Sequence, residues 1–403
     1  MQVAQKLDLI FIENVQKYFF FEFCLENESQ KCYDTNEIKR KRFRKLVKKC
    51  GVRITMKKKT VWIAAAGAVI LSLTGCGGKA SESSDSVQDT QIIRVAFNQS
   101  EEHPEYLAMK EFGEKFEEET DGRYKVEIYP NAILGDQGPV TEFVRTGALQ
   151  MAMVPCSVPE GYNEDFAIIG APYLYDSVDQ LRKVTLNGTF DELFASTQKY
   201  NFEVVAVYTS GMRNIYASKP IETPEDMKGL KVRVMDSDTY IQMTKLMGGV
   251  GVPMAQGDVY TGIQQKVIDG AENSERVYVD FKHYEVAKYY SYTQHVVMPD
   301  VVIANAEFLQ DMSAEDREVY DRLMKESVEK EFDLFEESVE EAKQDAEEAG
   351  VTFVYPDTEI FRERCQPILD ELADRSDVTR RIYDAVQKVK EEEKENESSE
   401  EGR

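Results

Sequence analysis

The chain has 403 residues, of which 49 are lysine or arginine and 74 are aspartate or glutamate, so its formal net charge is −25. This length predicts two or three domains. The acidic excess argues against binding to nucleic acid, which requires a basic surface, and it favours solubility.

The first 55 residues resemble nothing that follows them. They contain an aromatic and acidic patch and then a dense basic run over residues 39–49. A basic run can indicate contact with nucleic acid or with anionic lipid. A complete secretory signal with its own methionine comes next, however. We therefore interpret residues 1–55 as an upstream extension and expect translation to begin at Met56.

Residues 56–75 have the order of a secretory signal: three lysines, an apolar stretch and small residues before Cys76. The apolar stretch is shorter than the roughly 20 residues of a membrane span. Leu73-Thr74-Gly75-Cys76 resembles the lipobox of bacterial lipoproteins, and this resemblance implies a diacylglyceryl group on Cys76. A short anchor that stays uncleaved is the alternative. We expect residues 76–90 to form a flexible tether, since they are rich in Ser, Asp and Gly.

The next segment alternates between strand patterns and helix patterns. Strands are predicted at 92–98, 124–129 and 151–154, and helices at 104–119 and 140–147. This rhythm is typical of an α/β domain with a mainly parallel sheet.

A second group of elements begins at residue 202. Residues 202–208 and 230–234 read as strands. Between them, Thr223, Pro224 and Gly229 predict the N-cap, first residue and end of a short helix.

The C-terminal third is helical in pattern. Apolar residues recur every three or four positions from Ser313 to Gly350, which predicts one helix of about 36 residues, roughly 54 Å long. A coiled-coil dimer seam is the alternative interpretation. A strand at 351–355 and helices at 359–372 and 377–389 follow, and the charged tail 389–403 is expected to be disordered.

Several short motifs follow one another along the chain: Asp121-Gly122-Arg123, Leu134-Gly135-Asp136, Ala171-Pro172-Tyr173-Leu174-Tyr175, and the segments 251–260, 263–270 and 283–290. In this order and spacing they resemble the DctP family, the solute-binding proteins of tripartite ATP-independent periplasmic (TRAP) transporters. The resemblance covers residues 91–370, although Val252, Asp258 and Lys266 depart from the family pattern.

The resemblance implies an α/β, two-lobed periplasmic-binding-protein-like fold with a long helix spanning both lobes. We expect lobe I to comprise residues 91–210 and 299–338. Lobe II is expected to comprise residues 211–298 and 339–388, with the ligand between the lobes and a hinge motion closing them.

Arg233 is the leading candidate for contact with a ligand. Periodicity alone would place it on the solvent face of a strand. In open α/β sheets, however, ligands bind beyond the carboxyl ends of strands, and Arg233 coincides with the arginine that pairs with the substrate carboxylate in the resembled family. A guanidinium offers paired donors that match a carboxylate.

Two further residues are expected to complete a carboxylate clamp. Arg213 would supply a second cationic contact, and an ordinary surface salt bridge is its alternative. Asn273 would bond a carboxylate or hydroxyl oxygen, and a turn residue satisfying its own backbone is its alternative. Asn98, Asp236 and Gln256 are expected to reach ligand hydroxyls.

The predicted function is capture of an organic acid on the extracytoplasmic face of the cell membrane and its delivery to the small and large membrane subunits of a TRAP permease. The polar groups at Asp236 and Gln256, and the likeness of residues 283–290 to hexuronate-binding members, favour a sugar acid over a C4-dicarboxylate. A C4-dicarboxylate-binding subunit, a sensor that presents the acid to a membrane kinase, and an enzyme acting on a sugar acid are the alternatives.

The sequence contains no pattern that indicates catalysis. No metal-ligand spacing, phosphate-binding loop or nucleophile elbow is present, so we expect no catalytic residue, metal or cofactor. The three histidines are interpreted as packing residues. Cys156 and Cys365 are expected to be free, buried thiols.

Overall fold

The computed structural model describes residues 90–401. The predictions made for residues 1–55, for the signal at 56–75, for Cys76 and for nearly all of the tether lie outside these residues. Within residues 90–401, no helix combines the length and the apolar character that crossing a membrane requires.

Nine strands form one continuous sheet in the described part of the chain. Its order is β2-β1-β3-β8-β4-β7-β5-β6, with β9 paired to β8. The strands are β1 Gln91–Ala96, β2 Tyr124–Tyr129, β3 Met151–Pro155, β4 Phe202–Ala217, β5 Lys231–Val234, β6 Val250–Pro253, β7 Gly270–Asn273, β8 Tyr289–Asn305 and β9 Thr352–Val354.

The sheet is mixed, whereas the sequence predicts a mainly parallel one. β1, β2 and β3 run parallel in one wing, and β5, β6 and β7 run parallel in the other. The antiparallel strands β4 and β8 join the two wings. The difference arises because each long strand extends through both wings, which strand patterns taken one at a time do not reveal.

Helices cover this sheet. They are α1 Pro104–Glu119, α2 Gln137–Arg145, α3 Ser157–Glu160, α4 Val178–Leu186, α5 Asp191–Ala195, α6 Asp238–Leu246, α7 Val259–Gln264, α8 Glu275–Asp280, α9 Ala306–Asp311, α10 Ala314–Glu348, α11 Glu359–Ala373 and α12 Asp377–Glu401.

Strands β4 and β8 connect the two halves of the described structure. One half contains β1, β2 and β3, and the other contains β5, β6 and β7. Strands β4 and β8 contain 16 and 17 residues, and two of the three predicted lobe boundaries, 210/211 and 298/299, fall inside them, while the third, 338/339, falls inside the helix Ala314–Glu348. The β4–β8 register shifts between Thr209 and Met212. Gly211, in this irregular stretch, has φ +83°, and a side chain there would collide with the ring of Phe335 on α10. Glycine is therefore required both for the backbone conformation and for close packing. The lobe boundaries themselves stay a prediction.

The long helix is confirmed as α10, which has 35 residues. The Ser313 hydroxyl accepts a hydrogen bond from the Asp316 backbone N–H and caps its start. Near that end Asp316 pairs with Arg123, which precedes β2. Near the other end Glu341 pairs with Arg276 of α8, at 3.5 Å. The helix therefore contacts both halves, as predicted.

Two local predictions are wrong. Residues 224–229 form consecutive turns rather than a helix. The Asp226 carboxylate accepts hydrogen bonds from the backbone N–H groups of Glu222 and Thr223, so Thr223 does not act as the expected cap.

The second wrong prediction concerns the charged tail. Residues 389–403 are predicted to be disordered, but α12 continues to Glu401. Val389 and Lys390 are buried, and the Lys390 ammonium lies 3.1 Å from Asp176. Further along, Glu393 pairs with Lys183 of α4 at 2.6 Å. These contacts hold a charged, helix-forming segment against the body.

The last helices also differ from their predicted place in lobe II. Arg381 of α12 pairs with Glu192, and Ser376, just before α12, donates a hydrogen bond to Asp165. Both partners lie in the segment predicted as lobe I. Arg364 of α11, by contrast, pairs with Glu225 of the predicted lobe II at 2.8 Å. The α11–α12 pair therefore contacts both halves.

Candidate functional site

A cleft of about 770 Å³ opens beyond the carboxyl ends of β1, β5 and β6. This is the edge at which open α/β sheets bind ligands. Both halves contribute walls: one supplies the loop before α2 and residues of α3, and the other supplies the segments after β5 and β6. The cleft narrows to an inner end that reaches β4, β7 and β8.

The two halves touch beside this cleft. The Glu160 carboxylate, at the end of α3, accepts a hydrogen bond from the Ser237 hydroxyl at 2.8 Å and one from the Thr239 hydroxyl at 3.2 Å. Ser237 is the N-cap of α6. A carboxylate near a helix N-terminus is electrostatically favourable, so the described conformation holds the two sides of the cleft together.

Arg233 of β5 is a buried cation that faces the cleft. Only 4% of the residue is exposed, which excludes the solvent-facing alternative. Its Nε donates to the Met254 carbonyl at 2.8 Å, and its NH1 donates to Gln256 Oε1 at 3.0 Å. Both acceptors are neutral, and no carboxylate among residues 90–401 forms an ion pair with this guanidinium. Burial lowers the pKa of Arg233 to about 10. The guanidinium therefore lacks a direct ion-pair partner, although the negative charges of Glu272 and Asp136 act on it from a greater distance.

Arg213 of β4 also reaches the inner end of the cleft, but its charge is already paired. Its Nε contacts Glu272 Oε2, and its NH2 lies 2.8 Å from Glu272 Oε1. Burial alone would raise the pKa of Glu272, but Arg213 and His295 outweigh it and lower that pKa to about 2. Arg213 therefore forms a buried ion pair rather than a surface salt bridge. Its role as a second contact to the ligand stays a prediction.

Asn273 and Gln256 connect the two arginines. Asn273 Oδ1 accepts from Arg213 NH1 and from the Ser274 backbone N–H, both at 3.0 Å. Asn273 thus satisfies nearby backbone, as its alternative reading proposed, while it also lines the inner end of the cleft. Gln256 uses its oxygen for Arg233, and its Nε2 is buried without a partner. This amide has a donor to offer to a ligand.

The remaining predicted residues lie on the walls of the same cleft. Asn98, just after β1, has a buried Oδ1 without a hydrogen-bond partner. Asp236 is exposed and lines the cleft after β5. The structure therefore places all six predicted residues around one cavity with its inner end.

Sequence reasoning missed three residues of this region. Glu272 neutralises Arg213. Gln99 lines the inner end, is 5% exposed and has a buried Oε1 without a partner. Asp136 lines the cleft as the N-cap residue of α2 without using its side chain in the cap. Of these three residues, only Asp136 could have been predicted from the sequence, because it belongs to the quoted Leu134-Gly135-Asp136 motif.

The histidines and cysteines behave as packing residues. His283 Nδ1 lies 2.7 Å from the Tyr216 hydroxyl, and His295 Nδ1 lies 2.8 Å from the Thr293 hydroxyl. Burial lowers the pKa of His283 and of His103 to about 3. Cys156 and Cys365 are free and buried, as predicted. Among the described residues, no group of His, Cys, Asp and Glu side chains could hold a metal ion.

A cleft between two halves of one sheet, with an unpaired buried cation and unused polar atoms, defines a protein that encloses an anionic solute. The chain belongs to the DctP family of bacterial extracellular solute-binding proteins (family 7), whose model matches residues 95–376. The predicted family and the two-lobed fold are thereby confirmed, and the protein is an extracytoplasmic solute-binding component.

Known proteins agree with this assignment. A solute-binding protein from Chromohalobacter salexigens is 35% identical over 272 residues, which are 67% of this chain and 81% of that protein. The crystal structure of a TRAP periplasmic solute-binding protein from Anaerococcus prevotii with bound α/β-D-glucuronate is similar at a TM-score of 0.73 and 38% identity. That similarity covers 75% of this chain and 99% of the other.

A third similar protein carries another hexuronate. It is a TRAP periplasmic solute-binding protein from Xanthobacter autotrophicus with bound β-D-galacturonate. Its TM-score is 0.71, its identity is 29%, and the match covers 73% of this chain and 99% of that one.

Proposed function

We propose that this protein captures a hexuronate, such as D-glucuronate or D-galacturonate, and delivers it to a TRAP permease. The observation that carries the proposal is the unpaired guanidinium of Arg233, buried at the cleft. A buried charge is stable only with a partner, and a ligand carboxylate supplies one through paired hydrogen bonds.

The other groups of the cleft suit a ligand with several hydroxyls. Asp136 and Asp236 line the cleft and form no ion pair with another described residue. The buried oxygens of Asn98 and Gln99 also lack donors. Acceptors of this kind call for hydroxyl donors, which sugars carry and C4-dicarboxylates largely lack.

A dicarboxylate fits this cleft less well. Its second carboxylate would need a second free cation, but Glu272 already neutralises Arg213. It would also lie near Asp136 and Asp236. The proposal therefore ranks a monocarboxylate with hydroxyls first, in line with the uronates bound to the similar proteins from Anaerococcus prevotii and Xanthobacter autotrophicus.

The permease and the anchor complete the proposal. Delivery to the small and large membrane subunits follows from what the family implies. We further propose that the protein is held at the membrane by a diacylglyceryl group on Cys76, because Leu73-Thr74-Gly75-Cys76 follows a secretory signal and two acyl chains anchor stably.

Binding can be tested by thermal shift and calorimetry on the purified protein with D-glucuronate, D-galacturonate, succinate and D-glucose. A ligand at 100 times its dissociation constant adds about 2.7 kcal/mol to stability. We expect the uronates to raise the melting temperature and the other two compounds to leave it unchanged.

Three variants test the role of Arg233. Arg233→Ala should abolish the uronate shift, and Arg233→Lys should retain little of it, since an ammonium lacks the planar fork. Lys231→Ala, an exposed site on the same strand, is the matched control and should respond like wild type. A shift with succinate alone, or an unchanged response in Arg233→Ala, would contradict the proposal.

A further inference from the structure

Three carboxyl groups lie buried beside the inner end of the cleft. Glu105 is on α1, Asp300 on β8 and Glu331 on α10, and their exposed fractions are 0%, 4% and 0%. Four of their six oxygens are inaccessible and accept no hydrogen bond from a permanent donor: Glu105 Oε1 and Oε2, Asp300 Oδ1 and Glu331 Oε1. Ionised carboxylates without donors are strongly disfavoured in such a place, so the cluster must hold protons.

The groups around Asp300 offer little positive charge to balance an ionised carboxylate. The carboxyls of Glu105 and Asp300 lie within hydrogen-bonding reach of each other, and two neighbouring acids favour sharing a proton. The charged or titratable groups facing this pair are His103 beside α1, Cys156 after β3, Tyr208 and Arg213 of β4, Arg233 of β5, and Glu331 of α10.

Apart from Arg233, which lines the same small space and is the proposed partner of the ligand, none of these groups supplies a free counter-charge to the pair. Arg213 is occupied by Glu272. Burial, with the charge of Arg276, lowers the pKa of His103 to about 3, so that histidine is neutral. Burial also raises the pKa of the Cys156 thiol and of the Tyr208 phenol, and both stay protonated.

Asp300 also lines the inner end of the ligand cleft. It shares this space, about 20 Å³, with Arg233, Gln256 and Gln99. The Gln99 side chain is 5% exposed and its Oε1 has no partner, and the Gln256 Nε2 is likewise unused. These unpartnered amide groups point to a ligand or a bound water at this end, next to the carboxyl of Asp300.

We propose that Asp300 is a positioning residue of the binding site, and that the Asp300–Glu105 pair takes up one proton when a carboxylate ligand binds Arg233. This inference rests on the proposed function. The proton comes from solvent and converts one carboxylate of the pair into a carboxylic acid. The pair is then uncharged, and its acid protons are available for hydrogen bonds within the pair. The ligand carboxylate is consequently the anion that pairs with Arg233.

The electrostatic reason lies in the charge that the ligand adds. Burial raises the pKa of Asp300 to about 6, against the lowering influence of Arg213, and raises that of Glu105 well above its ordinary value. Near pH 7 the empty site therefore holds a protonated Glu105 and a mostly ionised Asp300. A ligand carboxylate brings another negative charge close by and raises the pKa of Asp300 further.

The direction of the pH dependence follows from this change. Below about pH 6 Asp300 is protonated in both the free and the liganded protein, so the affinity for the ligand is highest there. As the pH rises above 6, binding must draw a proton from solvent, so affinity falls until the pH passes the pKa of the liganded form. The total loss is about tenfold for each unit by which the ligand raises that pKa.

Calorimetry of D-glucuronate binding at pH 7 tests the proposal directly. Titrations in phosphate and in Tris, which differ in ionisation enthalpy, give the number of protons taken up. We expect wild type to take up between half a proton and about one proton, and its dissociation constant to rise from pH 5.5 to pH 8. The ligand's own carboxylic acid is ionised throughout this range.

Variants locate the proton. Asp300→Asn mimics the protonated acid and should bind with almost no proton uptake and a flat pH profile. Glu275→Gln is the matched control, because Glu275 is a buried carboxyl whose neighbours are Tyr290, Tyr292 and Lys343. It should keep the wild-type proton number.

Each outcome has one meaning. Tight wild-type binding with no proton uptake and a flat pH profile overturns this inference and leaves the proposed function intact. Wild-type uptake that persists in Asp300→Asn overturns the assignment of the proton to Asp300. No binding of D-glucuronate or D-galacturonate by folded wild type at any pH overturns the proposed function, and the coupling with it.

Discussion

Arg213 and Arg233 both line the inner end of the cleft, but their neighbours differ, and so do the interactions that each guanidinium can make. Arg213 is matched by Glu272 within hydrogen-bonding distance, and His295 Nε2 lies 3.4 Å from the same carboxylate. Arg233 donates hydrogen bonds only to the neutral oxygens of Met254 and Gln256. The first arginine therefore stabilises the inner wall, and the second is available to a ligand.

Removing the carboxylate of Glu272 tests this division. Glu272→Gln leaves Arg213 buried without its counter-charge and should destabilise the protein by about 3–5 kcal/mol at pH 7. Chemical denaturation measures the free energy of unfolding. Glu142→Gln, which breaks the exposed Glu142–Arg145 pair, is the control and should cost less than about 1 kcal/mol.

The pH dependence of this variant has a defined sign. The pKa of Glu272 in the folded protein, about 2, lies below its ordinary value. Its stabilisation is therefore present above about pH 4.3 and is lost as the pH falls towards 2. The difference between wild type and Glu272→Gln should shrink over that range. A difference that is small at pH 7 would show that the pair contributes little, and a large difference that stays constant down to pH 2 would show that the ionisation of Glu272 is not its source.

At the scale of elements, α12 shows how a segment without a core of its own becomes ordered. Beyond Val389 its residues are nearly all charged or polar, and such composition favours disorder in isolation. The helix instead presents Lys390 to Asp176, and Glu393 to Gln180 and Lys183. Partners that lie about 210 residues away in sequence decide the outcome.

Two truncations test the role of this helical extension. A chain ending at Lys388 loses Val389, Lys390 and Glu393, and should unfold at a lower temperature, by an amount corresponding to about 1–3 kcal/mol. A chain ending at Asn396 keeps all three residues and should melt like the full chain. Equal melting temperatures for both truncations and the full chain would show that the extension does not stabilise the body.

At the scale of the whole molecule, one sheet with two wings places the cleft where the chain passes from one half to the other. The irregular stretch of β4 at residues 209–212 lies between the wings, and α10 packs against it through Phe335. In this strongly acidic protein, the buried Arg233 is a cation of the cleft without an ion-pair partner among the described residues. Acidic surface elsewhere keeps the protein soluble.

The proposed anchor also concerns the whole chain. Mass spectrometry of the native protein extracted from membranes should find a mature N-terminus at a lipid-modified Cys76. Cys76→Ser should lose the modification and leave the membrane fraction. A native peptide that runs unbroken from residue 57 across position 76 would instead support the uncleaved anchor.

The sequence by itself determined the local elements. Apolar periodicity and end signals located α1, α10 and most strands, because these features depend on residues within one or two turns of each other. The quoted motifs determined the family, and strand-end position together with resemblance made Arg233 the leading candidate for ligand contact, which stays a prediction.

Only the tertiary structure decided which groups face one another. It paired Arg213 with Glu272, brought Asp300 next to Glu105 and Glu331, joined the wings through β4 and β8, and held α12 on α4. The physical reason is common to all four. The energy of a buried charge or a docked helix depends on partners that are distant in sequence, and no local pattern contains them.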